Sequence, residues 1–402
     1  MLAVLKILIT LAVIVFLLNR KVKMGNAMFA GSATLFLLTG LNLQYLRTAV
    51  ITTITSYSTW EILLALYFVM CLEYQLRTSG TIDGLMAAAR KLLRSERILL
   101  PLMPAFLGFL PSLGGAIFSA PLVENASKPF ILAAESKTAI NYWFRHVWEC
   151  TNPIFTGMLL ASQLSDIPLS ALIAHMSWVT VLSILIGWLL FISPLKKQNA
   201  IPSDDNPDTT VGGYHHIALA TGPILANFSL VVFFKLPASV SMAIVVATMV
   251  FILRQNVSDI RAMLIHAFDR KLLWGIVGIL FFQNILRPSG LIKDIAVLLN
   301  SMDVSNAVVI GAIAFVSGLL LGTSQGFVAI TFPFIAVLSP NDLNLAMLCF
   351  VMGTAGHMLS PTHLCLLVTL DYFKADYLKT LRPIVFLEII MVAAAYIAVS
   401  IT

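Results

Sequence analysis

Two short runs carry polar chemistry into segments that are otherwise apolar: Arg145-His146-Val147-Trp148-Glu149-Cys150-Thr151-Asn152-Pro153 and His357-Met358-Leu359-Ser360-Pro361-Thr362. A proline inside a helix lacks an N–H and clashes with the carbonyl four residues back. That carbonyl belongs to Glu149 in the first run and to His357 in the second. In hydrocarbon an unpaired backbone group costs several kcal/mol, so a break of this kind persists only where it lines a polar cavity. Thr151, Asn152, Ser360 and Thr362 can cap the interrupted helices or contact a bound substrate. Glu149, His146 and His357 are candidates for ion or proton coupling, because imidazole titrates near neutral pH and a membrane carboxylate can carry a proton. Arg145 is a candidate partner for an anion. It also stands four residues from Glu149, on the same helical face, where the two charges can neutralise each other.

Two glycine-rich turns add further candidates. Pro111-Ser112-Leu113-Gly114-Gly115 interrupts the apolar stretch 98–123, and Gly322-Thr323-Ser324-Gln325-Gly326 interrupts 305–338. Glycine lets a backbone approach a ligand closely, and N–H groups exposed in such turns hold anions. Ser112, Gly114, Gly115, Thr323, Ser324 and Gln325 are therefore expected to bind substrate together with the residues of the two breaks.

The chain that must position these groups is 402 residues long, with 59% hydrophobic and 11% charged residues, the composition of a polytopic membrane protein. Its length allows about ten spans. They are expected near 2–18, 27–43, 60–76, 140–163, 168–192, 214–233, 237–253, 272–286, 345–370 and 383–401. Residues 2–18 precede Arg20, Lys21 and Lys23 without a small-residue cleavage site, and read as a retained first span. If residues 19–24 are cytoplasmic, the loops on that side hold 19 of the 25 basic residues. The opposite side then holds Arg47, Lys235, Arg287 and Lys293. This bias predicts an inner (plasma) membrane protein with the N-terminus outside. It also makes 98–123 and 305–338 re-entrant hairpins, since each must enter and leave on one side.

The polar, proline-rich run 193–213 is expected to be a cytoplasmic linker between two halves, 1–192 and 214–402. Leu76-Arg77-Thr78-Ser79-Gly80 recurs as Leu286-Arg287-Pro288-Ser289-Gly290, and Gly108 matches Gly318 at the same offset of 210. Asn152-Pro153 matches Ser360-Pro361 at an offset of 208. Matching spans cross in opposite directions, which predicts an all-α fold of two inverted-topology repeats. Inverted repeats with broken helices are the design of secondary transporters, with the site near the bilayer midplane.

The hairpin, broken span, span order, present twice and inverted, resembles the ion transporter superfamily. The runs PSLGGAIFSAPLVENA and NYWFRHVWECTNPIFTGMLLASQ are similar to the domain-of-unknown-function 401 family. The resemblance implies a homodimer with a scaffold and a transport part that moves as an elevator. In the dicarboxylate and citrate branches, Ser-Asn-Thr triplets at hairpin tips and breaks bind carboxylate and Na⁺. Here the breaks read Thr151-Asn152-Pro153 and Ser360-Pro361-Thr362, and neither tip contains asparagine.

The expected function is secondary transport of a small, carboxylate-like organic anion coupled to Na⁺ or H⁺; the alternative on the same architecture is a cation/proton antiporter. An enzyme is not expected. His146 and Glu149 form an HxxE pair, but there is no HExxH, and no P-loop to drive transport with ATP. The four cysteines lie in apolar segments without a CxxC, so neither disulfide nor zinc site is expected. No cofactor is expected beyond the coupling ion. The net charge of +6, without a basic cluster on a soluble domain, excludes nucleic acid as a partner. The expected partners are lipid, the anionic substrate and a second copy of the chain.

Overall fold

The computed structural model describes residues 2–20, 22–40, 42–81, 95–109, 115–196, 213–291, 294 and 305–401. Most of linker 193–213 and the first hairpin's tip, with Ser112 and Gly114, lie outside the described residues. Regular structure among the described residues is helical throughout. The first half forms α1 (Leu2–Asn19), α2 (Met24–Thr39), α3 (Leu43–Thr55), α4 (Tyr57–Thr78), α5 (Glu96–Gly108), α6 (Gly115–Ser127), α7 (Ala134–His146), α8 (Thr156–Ser165) and α9 (Leu169–Gly187). A π-turn over Trp188–Ile192 extends α9. The second half forms α10 (Gly213–Val232), α11 (Ala238–Ile252), α12 (Val257–His266), α13 (Arg270–Leu286), α14 (Asn306–Leu321), α15 (Ser324–Leu338), α16 (Leu343–Met358), α17 (Leu364–Phe373) and α18 (Tyr377–Ile401).

Helices α4, α9 with its π-turn, α13 with the following 3-10 turn, and α18 are each long and apolar enough to cross a membrane. Among the other helices are shorter apolar ones, as expected where hairpins and breaks divide a span. Helices α3 and α12 occupy stretches that the hydropathy pattern leaves as loops. Local capping accounts for both. Asn42 accepts from the amides of Gln44 and Tyr45, and Asn256 and Asp259 form a reciprocal capping box.

The helices pack in two groups. In one, α2 lies along α13, α4 along α11, and α10, α12, α1 and α3 flank those pairs. The α2–α13 contact is close because Gly25 and Gly278 meet: a Cβ added at Gly278 would lie 2.8 Å from the Gly25 Cα. In the other group, hairpins α5–α6 and α14–α15 wrap the broken pairs α7–α8 and α16–α17, with α9 and α18 on the outside. Helix α5 packs on α7 and α14 on α16, whereas α15 crosses to α8 and α6 crosses to α17.

The groups touch chiefly where α9 meets α10, α4 meets α8, α1 meets α14 and α13 meets α15. Between α4, α8, the start of α9 and the α10–α11 turn lies a cleft of about 220 Å³. Glu61 lines it and accepts from the Ser239 amide at 3.0 Å and from the Ser239 hydroxyl. A carboxylate is stabilised at this place because the N-terminus of α11 carries the positive end of the helix dipole.

Candidate functional site

Both predicted breaks exist, and the fold brings them together. The first separates α7 from α8 and the second separates α16 from α17. One detail differs from the proline argument. The His357 carbonyl is not left open; it accepts from the Ser360 amide at 3.1 Å, because the chain turns back on itself before Pro361.

Four polar contacts stitch the first broken span to the second. His357 Nε2 lies 3.0 Å from Glu149 Oε2, and His146 Nε2 lies 3.2 Å from His363 Nε2. The Tyr142 hydroxyl donates to the Met358 carbonyl at 2.9 Å, and Asn141 Nδ2 donates to the Thr369 hydroxyl at 3.1 Å. Glu149 and His357 each stand four residues before a break's proline, so equivalent positions of the two breaks face each other. His146 adds a second contact to the carboxylate, 3.9 Å from Glu149 Oε1.

The proton positions follow from the partners. His146 Nδ1 is 2.6 Å from the Tyr142 carbonyl, which can only accept, so Nδ1 carries a proton. In the neutral ring Nε2 is then an acceptor, and His363 Nε2 must donate to it. His357 Nδ1 has no hydrogen-bond partner among the described residues. The guanidinium of Arg145 is buried and close enough to Glu149, His146, His363 and Cys365 to act on each electrostatically. The sequence marks Arg145, His146, Glu149 and His357 of this cluster. His363 and Cys365 carry no local signal and become visible only once the second break folds against the first. The ligand atoms of His146, His363 and Cys365 lie within 4.8 Å of one another, a spacing that a transition metal could bridge. The neighbouring Arg145 disfavours a cation there.

The end of α5 in the first half and the hairpin tip in the second each rest on the break of their own half. Asn152 donates to the carbonyl of Phe109, the residue following α5, at 3.0 Å, and accepts from the Ile154 amide at 3.1 Å. Phe109 stacks on Trp148 at 4.5 Å between ring centroids, and the indole N–H of Trp148 is buried without a hydrogen-bond partner among the described residues. At the second tip Gly322 has φ +62, the left-handed conformation open to glycine. It packs so closely that an added Cβ would lie 2.5 Å from Thr362 Oγ1 and 3.0 Å from Ser360 Oγ.

The candidates contribute in different ways. Thr151 is buried and its hydroxyl pairs with that of Thr180, in α9, at 3.0 Å. The Ser360 and Thr362 hydroxyls pair with each other at 2.9 Å. Thr323 caps α15, and Ser324 packs against Gly157 in the first turn of α8, bringing the N-termini of α15 and α8 together. Thr323 and Thr362 are exposed, while Gln325 is half-buried. Gly115 is the first residue of α6, at the N-terminus of the first hairpin's second arm.

Asn152 holds a tip and a break with one side chain, so Asn152→Ala is expected to leave the Phe109 carbonyl and the Ile154 amide unpaired. The cost is about 1–3 kcal/mol. Thermal unfolding of the detergent-solubilised protein measures it. An unchanged midpoint would mean that Asn152 does not hold the break.

The family model for proteins of unknown function designated DUF401 matches residues 1–402. No curated protein matches the chain. Among solved structures it is similar to the YdaH transporter of Alcanivorax borkumensis, with a TM-score of 0.57 and 16% sequence identity, covering 89% of this chain and 88% of that one. At that identity the likeness is one of fold.

Proposed function

The chain belongs to the DUF401 family, and we propose that it is a secondary transporter of a small, carboxylate-like organic anion coupled to H⁺ or Na⁺. The observation that carries this reading is the meeting of two broken helices and two hairpins around buried polar groups. Helix N-termini of α8 and α15 converge beside Ser324, and such ends favour negative charge. Arg145 supplies a fixed positive charge nearby. Thr323, Gln325 and Thr362, at the less buried edge of the second tip, are the groups through which a carboxylate would be recognised, with Ser324 and Ser360 behind them.

Two inverted repeats, 1–192 and 214–402, account for the paired packing. The α4–α11 and α2–α13 contacts are equivalent under that operation, as are the α8–α15 and α6–α17 contacts. The division into a hairpin group and a framing group supports elevator motion, in which the hairpins and breaks travel as one body past α1–α4 and α10–α13. The lopsided basic residues support an N-terminus outside and linker 193–213 in the cytoplasm of a cell whose inner membrane the protein spans. A homodimer would anchor the frame. The cation/proton antiporter remains a second reading, favoured by Glu149, a buried carboxylate between two histidines.

Ligand-dependent thermal stabilisation tests the proposal across carboxylates, sugar acids and inorganic anions, with and without Na⁺, at two pH values. A ligand at about 100 times its Kd stabilises the folded state by about 2.7 kcal/mol. A stabilising carboxylate that is then accumulated in proteoliposomes under an ion gradient supports the anion carrier. If no anion stabilises the protein and Na⁺ or Li⁺ alone dissipates a pH gradient, the antiporter replaces it.

A further inference from the structure

Glu388 lies midway along α18, the last helix, and is 5% exposed. Among the described residues nothing forms a hydrogen bond or ion pair with it. It lines a cavity of about 40 Å³, room for one or a few waters. Trp143, Val147, Met358 and Met391 supply apolar wall. The polar groups on the same cavity are His146, Ser183 and Thr354. Ser183 is already bonded to the Thr180 carbonyl, whereas the Thr354 hydroxyl is buried without a partner. The cavity thus joins an unpaired carboxyl group on α18 to the ring of His146 in the crossing of the breaks.

A charged carboxylate at the centre of a membrane helix costs about 2.5–3.5 kcal/mol even on insertion scales, so such a group is paired, neutralised or both. The helices packed on α18 are α7, α9 and α16. Facing Glu388 from α7 and the break after it are Tyr142, His146, Glu149 and Cys150; none is a fixed cation. From α9 and α16 the cavity receives Val179, Ser183, Val351, Thr354 and Met358, none of them charged. Na⁺ requires several oxygen ligands, and this lining is mostly apolar. A proton requires one.

Resting on the transporter reading above, we propose that Glu388 is the binding site of the coupling proton and exchanges it with the Glu149–His357 pair by way of His146. The carboxylic acid gives its proton to cavity water, the water passes one to His146 Nε2 in place of the His363 N–H it accepts at rest, and a carboxylate and an imidazolium replace an acid and an imidazole. Net charge in the membrane is unchanged. Arg145 opposes a lasting imidazolium, which directs the proton onward to Glu149, 3.9 Å from His146 Nε2.

The full chain in liposomes is treated with dicyclohexylcarbodiimide, which modifies protonated carboxyl groups in apolar surroundings, and adducts are located by peptide mass spectrometry. An adduct on Glu388 is expected in acidic buffer, falling about tenfold per pH unit once the group ionises. Infrared difference spectra read the same proton without a reagent, as a protonated-carboxyl band present in the wild type and missing from Glu388→Gln. A missing band, an adduct unchanged in alkaline buffer, or suppression of the adduct by Na⁺ at constant pH overturns the assignment. These measurements need no substrate. If they succeed while no anion is transported, the anion-carrier reading fails and the proton site stands. If a pH gradient drives anion uptake equally well through Glu388→Gln, the proton site fails and the carrier stands.

Discussion

Gly318→Ala is expected to unseat the second hairpin and lower stability by about 3 kcal/mol or more, at the upper end of overpacking costs. The added Cβ would stand 2.3 Å from the Gly353 carbonyl oxygen and 2.8 Å from the His357 amide nitrogen. Both neighbours are backbone of α16, so no side chain can turn aside to make room. Gly356→Ala presses from the opposite side, where the Cβ would meet the Phe315 carbonyl at 2.0 Å, and Gly108→Ala meets the Arg145 carbonyl at 2.0 Å in the first half. Gly222→Ala is the control. Nothing lies within 4 Å of its added Cβ, so it should be neutral or stabilising by about 0.5–1 kcal/mol through helix propensity. Thermal unfolding separates the four variants. If Gly318→Ala behaves like Gly222→Ala, α14 does not lie on α16.

The second large effect concerns the pair at the crossing. Glu149→Leu leaves the buried His357 with both ring nitrogens unpartnered, and His357→Leu takes from Glu149 its one short hydrogen bond, leaving Arg145 and the more distant His146. Each single change is expected to cost about 3–5 kcal/mol, whereas replacing both with leucine costs much less than the sum. A double-mutant cycle on thermal unfolding measures that difference, and strict additivity would show that the two groups do not interact. Activity should separate from stability. The double variant, even if it folds well, is expected to lose ion-coupled transport, because the carboxylate–imidazole pair that would carry the proton between the breaks is gone. Glu149→Gln keeps the shape; it should stop an antiporter outright and cost an anion carrier its coupling.

The helical pattern was legible in the sequence because prolines, glycines and basic loops act locally. Pro153 and Pro361 mark both breaks, and hydropathy places the long helices to within about six residues. The contents of the crossing were less accessible. The 208-residue repeat makes Glu149 and His357 equivalent positions, but nothing in the sequence says that the two touch. His363 stands beyond its break without a local signal, and the turn there folds it back against His146. Glu388 is a single charge in the apolar run that follows Pro383 in α18, and acquires meaning from a cavity that three other helices shape. Thr151 pairs its hydroxyl with that of Thr180 in α9, a partner that the sequence does not indicate. Side-chain direction inside an interrupted segment does not follow a helical period, so spacing could not foresee it.

The hydrogen bonds that cross from the framing helices to the hairpin group, among the described residues, gather at the turn between α8 and α9. Ser58 bonds to Gln163, Gln283 donates to the Leu164 carbonyl at 3.4 Å, and Arg287 meets Asp166 at 2.9 Å. Both members of the last pair are open to water, where such a contact is worth at most about 1 kcal/mol. Inside each group, by contrast, carbonyls press against bare α-carbons and admit no slippage. A push applied anywhere on the molecule will therefore find its give at that seam, and brine, which weakens exposed ion pairs, should loosen the seam while leaving the two blocks on either side as stiff as before.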